Sequence, residues 1–422
     1  MKKKARGTVT LVCLLMLAAL GVATLMQSTT SAQSTAAPAQ EDATAPTLLL
    51  EARSNKGRSS NVGAVYVNDN STPRNAVTIF HRRADGSLVR AGRVATGGRG
   101  TGNLLEAQGS LVLSEGNEWL FAVNAGSDEI SVFAVVEGDG LVLVDKVPSG
   151  GDRPISLTVS EDLLYVLNAG SEGNITGFTI NPKGRLTPLE GSTRPLSTTE
   201  VETCPFLFRD LDEPNSLCSV AGPVQVQFSP GGEVLVVTER LTSRINTYTV
   251  GDDGLTSGPT LHPADGVGPV GFDIAKRNRV VVSNGFLDAP GQGGAASYLV
   301  YGGGVVNTVT GNVPNGQTAS CWVIITNNGR YAYVSNPVSA TITSYTIQND
   351  GGISLLNPVG GDVSGGDPRD PALSMNGRYL YVLNNRTATI SSFLVRGDGT
   401  LVRLDLRAGR GFPSGAVGLA AH

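Results

Sequence analysis

The chain has 422 residues, 54 of them Gly, with 16% charged residues and a formal net charge of −4. An acidic chain without a Lys/Arg cluster is a poor match for nucleic acid, whose phosphates need clustered cations. Helical heptads are absent, and Val, Ile, Thr, Ser and Gly recur in short runs, which points to an all-β chain with many tight turns.

The N-terminus reads as a signal peptide over residues 1–32. Lys2, Lys3, Lys4 and Arg6 form a basic start, Thr8 to Met26 is apolar, and Thr30-Ser31-Ala32 supplies the small residues of a cleavage site. The alternative is an uncleaved anchor, since the apolar run approaches the ~20 residues of a membrane span. Cys13 follows Val12, a poor setting for lipidation. Residues 33–61, rich in Ala, Ser, Thr, Pro and Gln at their start, are expected to be a flexible linker. Loss of the four basic residues takes the formal charge to −8. No membrane span is expected after cleavage, and the mature protein is expected to be exported as a monomer.

From residue 62 to 422 one unit repeats. Its hallmark is the pentad Leu164-Tyr165-Val166-Leu167-Asn168, returning as Leu380-Tyr381-Val382-Leu383-Asn384. Looser copies end at Asn68, Asn124, Asn284 and Asn336, and a seventh, Val236-Val237-Thr238-Glu239, ends in Glu. A second β run follows each pentad, as in Ile130-Ser131-Val132-Phe133 and Ile390-Ser391-Ser392-Phe393. Then comes a turn, most often Asp-Gly (Asp85-Gly86, Asp253-Gly254, Asp398-Gly399), where both residues are expected at positive φ, and a last short strand. A strand typically led by Pro precedes the pentad, as at Pro154, Pro223 and Pro269. Seven four-stranded units of about 45 residues predict a seven-bladed β-propeller. A β-solenoid, with shorter coils and no such hairpins, is the structural alternative. Blade one lacks a leading strand, and the orphan stretch Phe412 to Leu419 is expected to complete it and close the ring.

Two loops break the repeat: Thr187 to Gly222, and a Gly-rich stretch from Phe286 to Ala296. Either serves function or is decoration. Cys204 and Cys218 flank part of the first loop and form the natural disulfide pair in an exported chain, while Cys321 is expected to be a buried free thiol.

Aligned on the leading Pro, Ser110, Ser156, Gln225, Gly271, Trp322, Asp370 and Gly415 form one column, expected to line the central channel. The pentad Asn residues are expected to cap the backbone of the following turn. Glu239 breaks that rule; it is either half of a surface ion pair with Arg240 or Arg244, or a carboxylate at the channel mouth acting as acid or base. His81, His262 and His422 have no metal-ligand spacing, so no metal is expected. Asp362, Asp367 and Asp370 match no EF-hand and are expected to be a solvated loop rather than a Ca²⁺ site. No cofactor fingerprint is present, and no cofactor is expected.

The Tyr-Val-x-Asn pentads, the Asp-Gly hairpins and Ala107-Gln108-Gly109-Ser110-Leu111 resemble the seven-bladed propeller lactonase family, which includes 6-phosphogluconolactonase and carboxymuconate lactonizing enzymes. Phe121 to Ser127, Val236 to Glu239 and Cys321-Trp322-Val323 resemble an exported bacterial subgroup. The resemblance implies a His, an Arg and an acidic residue around the channel. Gln225 stands where the His is implied, Glu239 matches the acidic residue, and Arg240 or Arg153 the arginine. Two functions follow as expectations. One is a lactone hydrolase or cyclase-like enzyme in which Glu239 moves a proton, Arg240 holds a carboxylate and Gln225 bonds the carbonyl. The other is a non-catalytic exported propeller that binds a small ligand or an extracellular protein.

Overall fold

A computed structural model describes residues 61–205 and 210–422. The expected signal peptide, and the linker up to residue 60, lie outside the described residues. The described chain forms seven antiparallel sheets, six of four strands and one, blade three, in which Leu186–Pro188 and Arg194–Pro195 both pair with the third strand, and a short hairpin in the first of the two long loops. No helix among the described residues is long and apolar enough to cross a membrane.

Blade three shows how the repeat becomes a blade. Its strands are Pro154–Ser160, Leu163–Asn168, Asn174–Ile180 and Leu186–Pro188, paired in chain order. Leu164, Tyr165, Val166 and Leu167 are all fully buried, because the second strand is covered by a neighbouring blade on both faces. That is why the pentads are continuous apolar runs rather than alternating ones. Outermost strands such as Leu88–Ala95 alternate or face solvent.

The pentad and the Asp-Gly turn meet in space. Tyr165 Oη donates to the carbonyl of Gly254 in the next blade (2.7 Å), Tyr333 to Gly399 (3.0 Å) and Tyr381 to Gly86 (2.9 Å). The turns differ from expectation: in blades one, three, four, six and seven only the Gly takes positive φ. In most of these the Asp carboxylate instead accepts the amide two residues on, as from Ser87, Leu255, Gly352 and Thr400. The Gly is required by contact as well as by φ, since a Cβ at Gly399 would lie 2.3 Å from the Tyr331 ring.

The pentad Asn residues differ from expectation: only Asn68 Oδ1 accepts a backbone amide of the following turn, from Asn70, while the Oδ1 atoms of Asn168, Asn284 and Asn384 have no partner among the described residues. Asn124, Asn336 and Asn384 each donate to a hydroxyl seven residues on, Ser131, Thr343 and Ser391, at 2.8 to 3.0 Å. These bonds tie the second strand to the third inside the blade.

The ring closes as expected. Val417–Ala421 pairs antiparallel with Asn61–Asn68, matching Tyr66 to Ala420 and Val67 to Leu419. Phe412 packs edge-on against Phe80, and the Arg82 side chain donates to the carbonyls of Val62 and His422. Blade one is thus shared by the two ends of the described propeller.

The leading strands form the inner wall, and each has an inner edge of N–H groups that no strand pairs. The column residues solve this problem with side chains. Ser156 Oγ accepts the amide of Val226, Gln225 Oε1 that of Phe272, and Asp370 Oδ2 that of Gly418, each across a blade boundary. Thr158 and Asp273 repeat the device two residues on, for Phe228 and Ile325. Gln108 reaches furthest. It comes from the connection into blade two and bonds both the N–H (3.0 Å) and the C=O (2.7 Å) of Val323 in blade six. A Cβ at Gly271 would meet Gln108 Oε1 at 2.3 Å, so glycine at that column position makes way for it.

Candidate active site

The second strand of every blade ends, and every leading strand begins, on one face of the ring. Both long loops open on that face. Within the first, Val201–Thr203 pairs with Leu217–Ser219, and Cys204 and Cys218 are joined by a disulfide. Asp210, Asp212 and Glu213 then surround Arg99 (2.8, 3.2 and 3.2 Å), so the loop reaches from blades three and four to the connection between blades one and two.

Beside this loop lies a cleft of about 120 Å³. Its charged wall consists of Glu106, Arg153, Arg240 and the exposed Glu202. Leu105, Ala169, Pro223, Val224, Leu241 and Cys218 supply much of the rest.

Glu106 sits between two guanidiniums. Arg369 Nη1 donates to Oε1 at 2.8 Å and Arg240 Nη1 to Oε2 at 3.0 Å. Burial alone would raise the Glu106 carboxyl, but Arg369 and Arg240 outweigh it and hold it below its ordinary value. Arg240 also pairs with Asp288 (2.8 Å), and Arg369 with Asp367 (3.3 Å). Arg369 lies over the ring of Trp322, 4.8 Å from its centroid.

Arg153 differs from the other two arginines. It is 7% exposed, and burial pushes its guanidinium down to about 10 against the upward pull of Asp210 and Asp128; it remains a cation at neutral pH. No carboxylate among the described residues lies within ion-pair distance of it. Nη1 approaches Cys204 Sγ at 3.8 Å, and Nη2 is buried without a hydrogen-bond partner among the described residues. A buried cation on the cleft wall, with a donor that has no partner among the described residues, is suited to an anionic ligand that reaches it.

The expected site residues divide. Arg240 lines the cleft. Glu239 does not: it is fully buried and spends both oxygens on Ser197 N (2.9 Å), Ser197 Oγ, Thr242 Oγ1 (2.6 Å) and Asn246 Nδ2. Neither proposed ion pair of Glu239 forms, since Arg240 turns to Glu106 and Asp288. Gln225 is committed to the Phe272 backbone through both ends of its amide. Ser110, Ser156, Trp322 and Asp370 belong to the inner wall but are buried and do not line this cleft. Asp362, Asp367 and Asp370 do not converge, and no group of three His, Cys, Asp or Glu among the described residues could hold a metal ion. Glu106 and Arg369 were not expected. The available signal was a charge beside a strand start, in Leu105-Glu106-Ala107 and Pro368-Arg369-Asp370.

The family described as "Lactonase, 7-bladed beta-propeller" matches residues 72–203 and 304–411, more than half of the chain. No curated protein matches. Among solved structures, a candidate 6-phosphogluconolactonase from Bacteroides uniformis is 18% identical over 85% of this chain and 99% of its own, with a TM-score of 0.65. A periplasmic gluconolactonase from Pseudomonas aeruginosa is 16% identical over 83% and 98%, at 0.61. A protein from Lactobacillus plantarum is 18% identical over 85% and 99%, at 0.65. At these identities the structures share the fold, and the family match carries the kinship.

Proposed function

We propose, on the premise that this chain belongs to the seven-bladed β-propeller lactonase family, that it opens lactones with water in the cleft beside Glu106. The observation that carries this is the pairing of an ionised, arginine-clamped carboxylate with the open cation of Arg153 on one cleft wall. Arg153 and Arg240 hold the negative charge that grows on the carbonyl oxygen, or a carboxylate of the substrate. Glu106 orients water and accepts its proton. The water oxygen bonds to the carbonyl carbon, the ring C–O bond breaks, and the proton passes from Glu106 to the leaving alkoxide. A carboxylate held below its ordinary value is a weak base, which suits a reactive ring ester rather than an amide.

A panel of lactones tests this. Glu106→Gln is expected to lower kcat/KM by about a hundredfold or more, and Arg153→Met to act mainly through KM. Glu239→Gln is expected to alter stability rather than chemistry. Absence of turnover on every lactone removes the proposal.

A non-catalytic binding propeller is the alternative. It is favoured by Gln225 standing where the family resemblance implies histidine, and by the absence of any histidine from the cleft lining. Saturable binding of an acid without turnover of its lactone would select it.

Export is part of the same proposal. The basic and apolar start of the chain and the Cys204–Cys218 disulfide support it. Mass determination of the N-terminus from envelope and medium fractions checks it; an intact Met1 confined to the cytosol overturns it.

A further inference from the structure

We infer that the ligand of this cleft is an amphiphilic anion, an aliphatic body carrying one carboxylate, rather than a polyhydroxylated sugar acid or its lactone. This rests on the anion-binding role proposed for Arg153 and specifies what the rest of the molecule must be.

The lining sets the requirement. Away from Glu106, Arg153, Arg240 and Glu202, the wall is largely carbon: Leu105, Ala169, Pro223, Val224 and Leu241, with the half-cystine Cys218. On the charged wall the Glu106 carboxylate and both Nη groups of Arg240 are engaged, while Arg153 Nη2 and Arg240 Nε have no partner among the described residues. Both Glu106 oxygens are taken by arginines, and Arg240 divides its two Nη groups between Glu106 and Asp288. Ser219, beside Cys218, already accepts the amide of Ala221. A sugar acid brings several hydroxyls, each of which needs a partner once water is stripped from it, and among the described residues this wall offers few beyond the arginine groups that take the carboxylate. An alkyl chain needs none, and gains from leaving water.

The apolar surface continues outward. Leu241 is 50% exposed although it lines the cleft, and Leu287, also 50% exposed, lies across Gly268 from the Arg240 stem. Leu241 thus carries the apolar wall of the cleft out to solvent beside Arg240. A carboxylate at Arg153 with carbon directed toward Leu241 satisfies both halves of the site.

Hexanoate and gluconate make a matched test, since each has six carbons and one carboxylate and they differ in hydroxyls. Binding to the wild-type protein is measured by calorimetry or ligand-observed NMR, together with butyrate and octanoate. Affinity is expected to rise roughly threefold per methylene from butyrate to hexanoate, with hexanoate at least about tenfold tighter than gluconate. Leu241→Asn, at an exposed position that leaves the fold intact, is expected to flatten the chain-length dependence; Arg153→Met is expected to weaken every acid. Gluconate binding as tightly as hexanoate, affinity indifferent to chain length, or no binding of any acid overturns the inference. Lactone turnover measured on the same preparation separates it from catalysis. Chain-length-dependent binding without hydrolysis upholds the amphiphilic ligand and removes the hydrolase, whereas efficient hydrolysis of a sugar lactone does the reverse.

Discussion

Blades four and seven are built to one plan and differ where the plan is most regular. In blade seven, Asn384 closes the pentad and donates to Ser391, and Tyr381 reaches the turn of the next blade. In blade four both parts are exchanged. Glu239 replaces the donor with an acceptor, and Asn246, seven residues on, replaces the hydroxyl with a donor. Val236 takes the place of the tyrosine, and Thr247 Oγ1 and His262 Nε2 meet the carbonyl of Gly304 in the next blade's turn instead. The difference teaches that an irregular copy in a repeat need not mark chemistry. Here it is a compensated swap whose spare carboxylate capacity anchors the first long loop at Ser197.

The sharpest way to break this comparison is Glu239→Ala. It strands Asn246, the Ser197 amide and two hydroxyls, and is expected to cost about 4 kcal/mol in urea unfolding. The double change Glu239→Asn with Asn246→Ser copies blade seven and should recover part of that loss, but not the anchor at Ser197. Equal stability of Glu239→Ala and wild type would show that the swap carries no weight.

The inner wall offers the next contrast, between the neutral Gln225 of blade four and Asp370 of blade seven. Burial raises the Asp370 carboxyl to about 6, against the downward pull of the Gly418 amide and Arg369. Its folded value therefore lies above its unfolded one, and between about pH 4 and 6 the folded protein keeps a proton that the unfolded chain has lost. Stability is expected to decline as pH rises through that window, by about 2–3 kcal/mol, and to level off above it. Asp370→Asn should flatten this part of the profile in unfolding measured from pH 4 to 7; an unchanged slope would assign it to other groups.

The smallest effect is expected from Tyr381→Phe, which removes one donor from the Gly86 carbonyl for about 1 kcal/mol. Val236 of blade four shows that a blade tolerates the absence when Thr247 and His262 take over. No change in melting on Tyr381→Phe would mean that water substitutes freely at the blade seam.

How legible all this was in the sequence follows from distance along the chain. Blade number, strand order and closure rest on contacts that recur every blade, so pentads and turns display them openly. The compensation at Glu239 was also within reach, because Asn246 breaks its own column seven residues later. The cleft was not. Glu106 meets Arg240 and Arg369 across 134 and 263 residues, and no spacing within a repeat encodes contacts made across the ring face. The column of polar residues was visible but its task was not, since alternation gives the face of a strand and not the orphan amides of its neighbour. Arg153 is pointed to only by the family resemblance, and Arg240 also by its place beside Glu239.

Gln108 gives the ring a property that strand pairing alone does not. A closed circle of blades can still flatten into an oval without breaking a single sheet. A rod fixed from the entrance of blade two to the Val323 backbone of blade six sets one diameter of that circle. Glu106 stands two residues up the chain from that rod. Its carboxylate is therefore registered against the far side of the molecule, and the gauge of the whole ring, more than the shape of any one blade, decides where it sits between its two arginines.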